Sequence, residues 1–132
     1  MNITVDTNVL VRAIVEDDEA QAKAAQAILD KASLIAVPVP VLCELAWVLR
    51  RGYRRSTAEI AEAIEALLEV EALVTDIPAA EAGLAMLRSG GDFADGVIAQ
   101  QGRALGGTTF ASFDREAVAR WQAQGGTVIE PA

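Results

Sequence analysis

The stretch MNITVDTNVLV, residues 1–11, is a short apolar run that is interrupted by the polar triplet Asp6-Thr7-Asn8. Its β-branched residues before Asp6 favour a buried strand, and the apolar residues after Asn8 favour a helix. Asp6 is therefore predicted at the carboxyl end of a buried strand, which is where open α/β sheets bind ligands. Two interpretations follow: Asp6 takes part in chemistry, or Asp6 or Asn8 only caps the next helix.

Length and composition limit the class of protein. The 132 residues, 52% of them hydrophobic, fit a single domain over residues 1–132 with a sizeable core. The single cysteine, Cys43, excludes an intrachain disulfide and a cysteine-rich zinc site. No signal peptide or membrane-spanning stretch is recognisable, so we expect a protein of the reducing cytoplasm.

The residue types that are absent exclude several mechanisms. Without histidine there is no Ser-His-Asp triad, no paired-histidine ribonuclease mechanism and no histidine-ligated zinc. Lys23 and Lys31 do not belong to a phosphate-binding glycine loop, which excludes that type of nucleotide hydrolysis and gives no reason to expect a nucleotide cofactor. Carboxylates must carry the reaction of any enzyme built from this chain.

The order of elements predicts an α/β fold around a mostly parallel sheet, because strands alternate with helices. The predicted strands are residues 3–5, 34–37, 71–75, 108–111 and 127–129. The predicted helices are residues 8–15, 16–31, 40–51, 56–69, 78–88, 92–106 and 115–122.

Four acidic residues follow a predicted strand directly or fall in the first turn of the next helix: Asp6, Glu44, Asp95 and Asp114. In a parallel sheet those positions share one edge. Two carboxylates 4 Å apart repel by on the order of 4 kcal/mol at an effective dielectric constant near 20, so a divalent cation or shared protons must relieve them. Oxygen ligands without histidine or cysteine favour Mg²⁺ or Mn²⁺.

Ordinary helix capping is the alternative explanation for each of these acids, as in a non-catalytic metal- or partner-binding α/β module. Asp92 and Asp95 illustrate it, because a capping pair has this spacing; we expect Asp92 to turn back onto its own helix and Asp95 to face a metal. A receiver-type module would need a lysine at a strand end, which is missing here. A two-carboxylate glycosidase usually has aromatic platforms, and only 5% of the residues are aromatic.

Four segments together resemble the PIN-domain ribonucleases, most closely VapC-type toxins of bacterial toxin–antitoxin pairs. They are VDTNVL (5–10), PVLCEL (40–45), DFADGVIA (92–99) and TFASFD (109–114). The resemblance implies a three-layer α/β sandwich, Mg²⁺- or Mn²⁺-dependent cleavage of RNA, a homodimer and a cognate VapB-like antitoxin. It also implies metal-ligand roles for Asp6 and Asp95, with Glu44 as third acid and Asp114 as fourth. Ser112 and Gly96 stand where the family often has threonine and alanine.

A net charge of −8 disfavours binding to nucleic acid, which is itself negatively charged. We expect the four arginines of residues 50–55 to supply the positive charge that binds RNA, with Tyr53 available to stack on a base. The alternative is that the cluster is only a solvated helix end. The predicted helix 40–51 is apolar nearly all round. We therefore expect an antitoxin helix to dock near it and to project a basic side chain towards Asp6, Glu44 and Asp95.

Overall fold

A computed structural model describes residues 1–131 and confirms the α/β class with parallel strands. The contacts within the chain divide it into two compact units, Met1–Asp76 and the residues from Ile77 onward. Within residues 1–131, no helix is long and apolar enough to cross a membrane.

The first unit is built on a three-stranded parallel sheet in the order β1-β2-β3. Its strands are β1 (Asn2–Thr4), β2 (Leu34–Ala36) and β3 (Leu73–Val74). Ile35 lies opposite Ile3 on one side and opposite Leu73 on the other, and it is buried. The predicted third strand is thus present but shorter than residues 71–75.

Four helices complete the first unit: α1 (Thr7–Val15), α2 (Glu19–Lys31), α3 (Val39–Arg51) and α4 (Thr57–Leu68). Helix α1 packs against α2 and α3, and α3 packs against α4. The apolar side of α3 is buried through Leu42, Leu45 and Leu49, as its sequence predicts for a core helix. Ser56 and Glu59 form the expected capping box at the start of α4.

The second unit combines three helices with a pair of parallel strands. Its elements are α5 (Ile77–Arg88), α6 (Phe93–Ala104), β4 (Thr109–Ala111), α7 (Arg115–Ala123) and β5 (Thr127–Ile129). Met86, Ala99 and Trp121 form its buried cluster, against which Phe110 and Val128 pack. In the described part of the chain, β4 and β5 pair with each other and make a separate two-stranded sheet.

Helices α5 and α6 approach closely because glycines lie where they meet. A Cβ atom at Gly83 would lie 2.6 Å from the Phe93 ring, and one at Gly96 would lie 2.8 Å from the Met86 Cβ. Neither distance is tolerated between carbon atoms, so a larger residue at either position would push the helices apart. Gly96 directly follows Asp95, and this packing therefore also fixes the main chain that carries Asp95.

Candidate functional site

Asp6 lies where the sequence predicts it, two residues after the last residue of β1. Its main chain is extended, its side chain is exposed, and its Oδ1 accepts a hydrogen bond of 3.1 Å from the N–H of Asn8. Asp6 is thus the N-cap of α1. The capping interaction occupies Oδ1, and no hydrogen bond within residues 1–131 uses Oδ2, so capping and a ligand role are compatible.

Glu44 is connected to the start of α1 by a side chain that the sequence reasoning overlooked. The hydroxyl of Thr7 donates a hydrogen bond of 3.1 Å to Glu44 Oε2. The packing of α1 on α3 makes this contact, and Thr7 immediately follows Asp6. The Thr7 hydroxyl therefore connects Glu44 to the residue that follows Asp6. Only the position of Thr7 in the polar triplet hinted at this role.

The expected position of Glu44 in the first turn of its helix is wrong. Helix α3 begins at Val39, so Glu44 lies in the second turn, and the first turn contains no acidic residue. The helix begins this early because Pro38 and Pro40 both suit a helix start, where a missing N–H costs nothing. Glu44 is exposed. The desolvation cost expected for a carboxylate on such an apolar helix is therefore avoided.

Asp95 is the candidate whose ionisation the fold disturbs. The residue is half-buried in the first turn of α6. Burial raises the pKa of its carboxyl above the ordinary range, and the negative charges of Asp92 and Asp114 raise it further. The carboxylates of Asp92 and Asp114 are therefore near enough to act electrostatically on Asp95.

The expected capping role of the Asp92 side chain is wrong. Asp92 occupies the N-cap position of α6, but its side chain makes no capping hydrogen bond. The N–H of Asp95 is instead bonded to the main-chain oxygen of Asp92, at 3.1 Å. The exposed Asp92 carboxylate therefore adds to the charge around Asp95 rather than to the stability of the helix start.

Asp114 is held rigidly at the start of α7. Its Oδ1 accepts hydrogen bonds from the N–H groups of Glu116 and Ala117, at 3.0 and 3.1 Å. Its own N–H donates to the Ser112 hydroxyl at 3.0 Å, so serine supplies the oxygen that threonine would supply at this position. Further along α7, Arg120 donates a 3.2 Å hydrogen bond to the carbonyl of Ser89, three residues before Asp92. The bond from Arg120 to Ser89 ties α7, which Asp114 caps, to the turn that precedes Asp92 and Asp95.

These observations define two groups of acids, one in each unit. In the first unit, Glu44 accepts a hydrogen bond from Thr7, the residue after Asp6. In the second unit, the negative charges of Asp92 and Asp114 act on Asp95. In the part of the chain that the structure describes, no set of three or more Cys, Asp or Glu side chains is already arranged to hold a metal ion. The donor chemistry nevertheless suits Mg²⁺ or Mn²⁺, because every donor is a carboxylate oxygen and a cation would relieve the charge around Asp95.

The arginines of residues 50–55 divide into two kinds. Arg50 donates a 2.8 Å hydrogen bond to Thr57, and Arg55 lies 3.7 Å from Glu59. Arg51 and Arg54 are exposed, and neither side chain makes a hydrogen bond or ion pair within residues 1–131. Arg51 and Arg54 are therefore the members of the cluster that remain available to an external anion.

Tyr53 is less available for base stacking than its sequence position suggests. It is half-buried, and its hydroxyl donates a 3.3 Å hydrogen bond to Asp17, which also pairs with Arg12. Trp47 on α3 is instead the aromatic residue of this region that faces outward, with 63% of its surface exposed.

A family model described as PIN domain matches residues 3–120 of the chain, a range that contains all four predicted site acids. A search among curated proteins gives no match.

Proposed function

The chain belongs to the PIN domain family, and from this premise we propose that it is a Mg²⁺- or Mn²⁺-dependent endoribonuclease. PIN domains are generally nucleases, which supports a hydrolase that acts on nucleic acid. The proposal assigns Asp6, Glu44, Asp95 and Asp114 as the metal ligands.

The crowding of carboxylates around Asp95 is the observation that carries this proposal. A half-buried carboxyl whose pKa is raised by burial and by two neighbouring acids is costly to ionise. Such an arrangement is typical of functional sites, where a bound cation offsets the repulsion. Surface acids that served only as helix caps would not need to gather in this way.

The protein's own groups would orient and position the ligands. Thr7 donates a hydrogen bond to Glu44 Oε2, which leaves Oε1 of Glu44 available to a ligand. The N–H of Asn8 fixes the Asp6 side chain. Asp114 is held by two main-chain N–H groups. When bound, the metal would supply the Lewis acidity that activates water and neutralises charge on a phosphodiester. Because Asp95 must lose its proton to bind metal, affinity should fall as the pH is lowered.

Asp6→Asn tests the metal-site proposal with a built-in control. Asparagine caps helices as well as aspartate does, so the substitution removes charge while keeping the cap of α1. Asp18 is the matched control, because it caps α2 in the same way through a 3.1 Å hydrogen bond from Gln21. We expect Asp6→Asn to retain its circular dichroism spectrum and to lose cleavage of an RNA substrate in Mg²⁺, while Asp18→Asn retains both.

The same experiment also tests the alternative that the acids serve only as helix caps. Full cleavage by Asp6→Asn would leave Asp6 as a cap only and would refute its ligand role. Calorimetric titration with Mn²⁺ extends the test, because Asp95→Asn should lose more affinity than Asp92→Asn. A larger loss at Asp92 would assign the metal to the other side of the α6 start.

We further propose that the protein is the toxin of a toxin–antitoxin pair, acting as a homodimer that a VapB-like antitoxin inhibits. Support comes from the motif resemblance and from the net charge of −8, which attracts a basic peptide to the acidic residues. Co-expression with the small open reading frame next to the gene, followed by co-purification and a cleavage assay, tests this role. A tight complex that leaves cleavage and Mn²⁺ binding intact would contradict inhibition through the acids.

A further inference from the structure

Trp47 is an exposed aromatic residue on a helix that otherwise buries its apolar side chains. Of the two tryptophans, Trp121 is 6% exposed and packed in the core of its unit, whereas Trp47 is 63% exposed. A tryptophan ring is the largest apolar surface a side chain offers, and leaving it in water forgoes much stabilisation. A single exposed ring is common at protein surfaces, so the charges around it decide whether it marks a binding surface.

The residues on the same face of α3 identify the chemistry of that partner. Residues three and four apart on a helix are neighbours, which places Glu44 one turn before Trp47 and Arg51 one turn after it. The ring is thus flanked along the helix by charged groups rather than by a continuous apolar stripe. A helix that docks through an apolar face needs such a stripe, so this surface fits a ligand with an aromatic plane and nearby charge.

The arginines that follow Trp47 in the sequence favour a polyanion as the ligand. Arg51 and Arg54 are exposed and have no partner among residues 1–131, whereas Arg50 and Arg55 are already engaged. Arg54 adopts a left-handed main-chain conformation, with φ of 53°, three residues after the last residue of α3. In a chain of net charge −8, the unpaired side chain of Arg51 thus lies one helical turn from an exposed aromatic ring, and the unpaired side chain of Arg54 follows shortly after the end of the helix.

We propose that Trp47 is a stacking platform for an unpaired base of single-stranded RNA, and that Arg51 and Arg54 bind the adjoining phosphates. An aromatic plane beside cationic side chains is how proteins hold single strands. The assignment rests on the proposed ribonuclease function for its substrate, and it places the platform one helical turn from Glu44. It replaces Tyr53, whose hydroxyl is bound to Asp17.

Binding of a fluorescent single-stranded RNA, measured by anisotropy in EDTA so that no cleavage occurs, tests this assignment. Trp47→Leu keeps an apolar side chain but removes the aromatic plane, and Trp47→Phe keeps a smaller plane. We expect Trp47→Leu to weaken binding by about 5- to 150-fold, with Trp47→Phe between it and the wild type. Arg51→Gln should also weaken binding and flatten its salt dependence, while Arg55→Gln, whose side chain pairs with Glu59, should do neither.

Intrinsic fluorescence gives a second readout. RNA should quench the emission of the wild type but not that of Trp47→Leu, which retains only the buried Trp121. Unchanged affinity in Trp47→Leu would overturn the proposal. So would conversion of a wild-type dimer into a monomer by Trp47→Leu in sedimentation experiments, because the face would then be a contact between copies of the chain.

The failure of this inference can be told apart from the failure of the proposed function. Cleavage by the wild type that Asp6→Asn abolishes, together with unchanged RNA binding by Trp47→Leu, would refute only the role of Trp47. Loss of binding in Trp47→Leu, together with full cleavage by Asp6→Asn, would support the platform and refute the metal ligand.

Discussion

Replacing Gly96 by alanine should destabilise the protein although alanine is the better helix former. In an exposed helix interior the exchange would stabilise by about 1 kcal/mol. At Gly96, however, the new methyl group would lie 2.8 Å from the Met86 Cβ and closer still to the carbonyl oxygen of Ala82. Inserting a methyl group into a packed contact costs roughly 1–3 kcal/mol.

The magnitude depends on what can move. The Ala82 oxygen belongs to the main chain of α5 and cannot rotate away, so the cost lies in the upper part of that range. Subtracting the gain in helix propensity leaves a net loss of about 1–2 kcal/mol. For a chain of this size that lowers the melting temperature by roughly 3–8 °C.

Gly102 supplies the matched control, because it lies in the same helix and a Cβ there would have nothing within 4 Å. Gly102→Ala should therefore stabilise by up to about 1 kcal/mol. Thermal unfolding followed by circular dichroism in EDTA measures both variants. The reasoning about the α5–α6 contact is refuted if Gly96→Ala melts at or above the wild-type temperature while Gly102→Ala behaves as expected.

Two further predictions concern the acids and their partners. Since the pKa of Asp95 is raised in the folded protein, the folded state holds this proton more tightly than the unfolded state, and the resulting stability is lost as the pH rises through the folded pKa. Asp95→Asn should consequently become more stable relative to the wild type as the pH rises above the ordinary range of an aspartate carboxyl, in urea titrations without metal; a difference that does not change with pH would contradict the raised pKa. Thr7→Val removes the hydrogen bond to Glu44 and should lower Mn²⁺ affinity or cleavage by roughly 10–100-fold, whereas Thr7→Ser should stay near the wild type. Equal behaviour of the two variants would show that Thr7 does not position Glu44.

The sequence predicted what depends on local pattern. Asp6 follows a strand, Asp114 caps a helix, and parallel strands alternate with helices, because periodicity and capping preferences are local properties. Contacts between distant residues were not predictable in this way. The bond from Thr7 to Glu44 joins residues 37 positions apart, and it arises from the packing of α1 on α3.

The features that the sequence did not predict likewise depend on which group each side chain meets in the fold. Asp92 has the residue type and position of a cap, yet its carboxylate makes no capping bond, since the N–H of Asp95 uses the main-chain oxygen instead. Tyr53 is an aromatic residue beside the arginines, and the sequence did not show that Asp17 engages its hydroxyl. The reason for a glycine at position 96, where the family often has alanine, appears only in the packing of α5 against α6. Each of these facts depends on a neighbour that the sequence does not reveal.

The register of the first sheet also sets an order of events during synthesis of the chain. Ile35 in the central strand pairs with Ile3, made long before it, and with Leu73, made long after it. Such non-local pairing is slow, because the loop-closure entropy must be overcome before the contacts form. Until residue 74 has left the ribosome, β2 has one unpaired edge. An unpaired strand edge of this kind is open to a chaperone or to misassociation while the chain is being made.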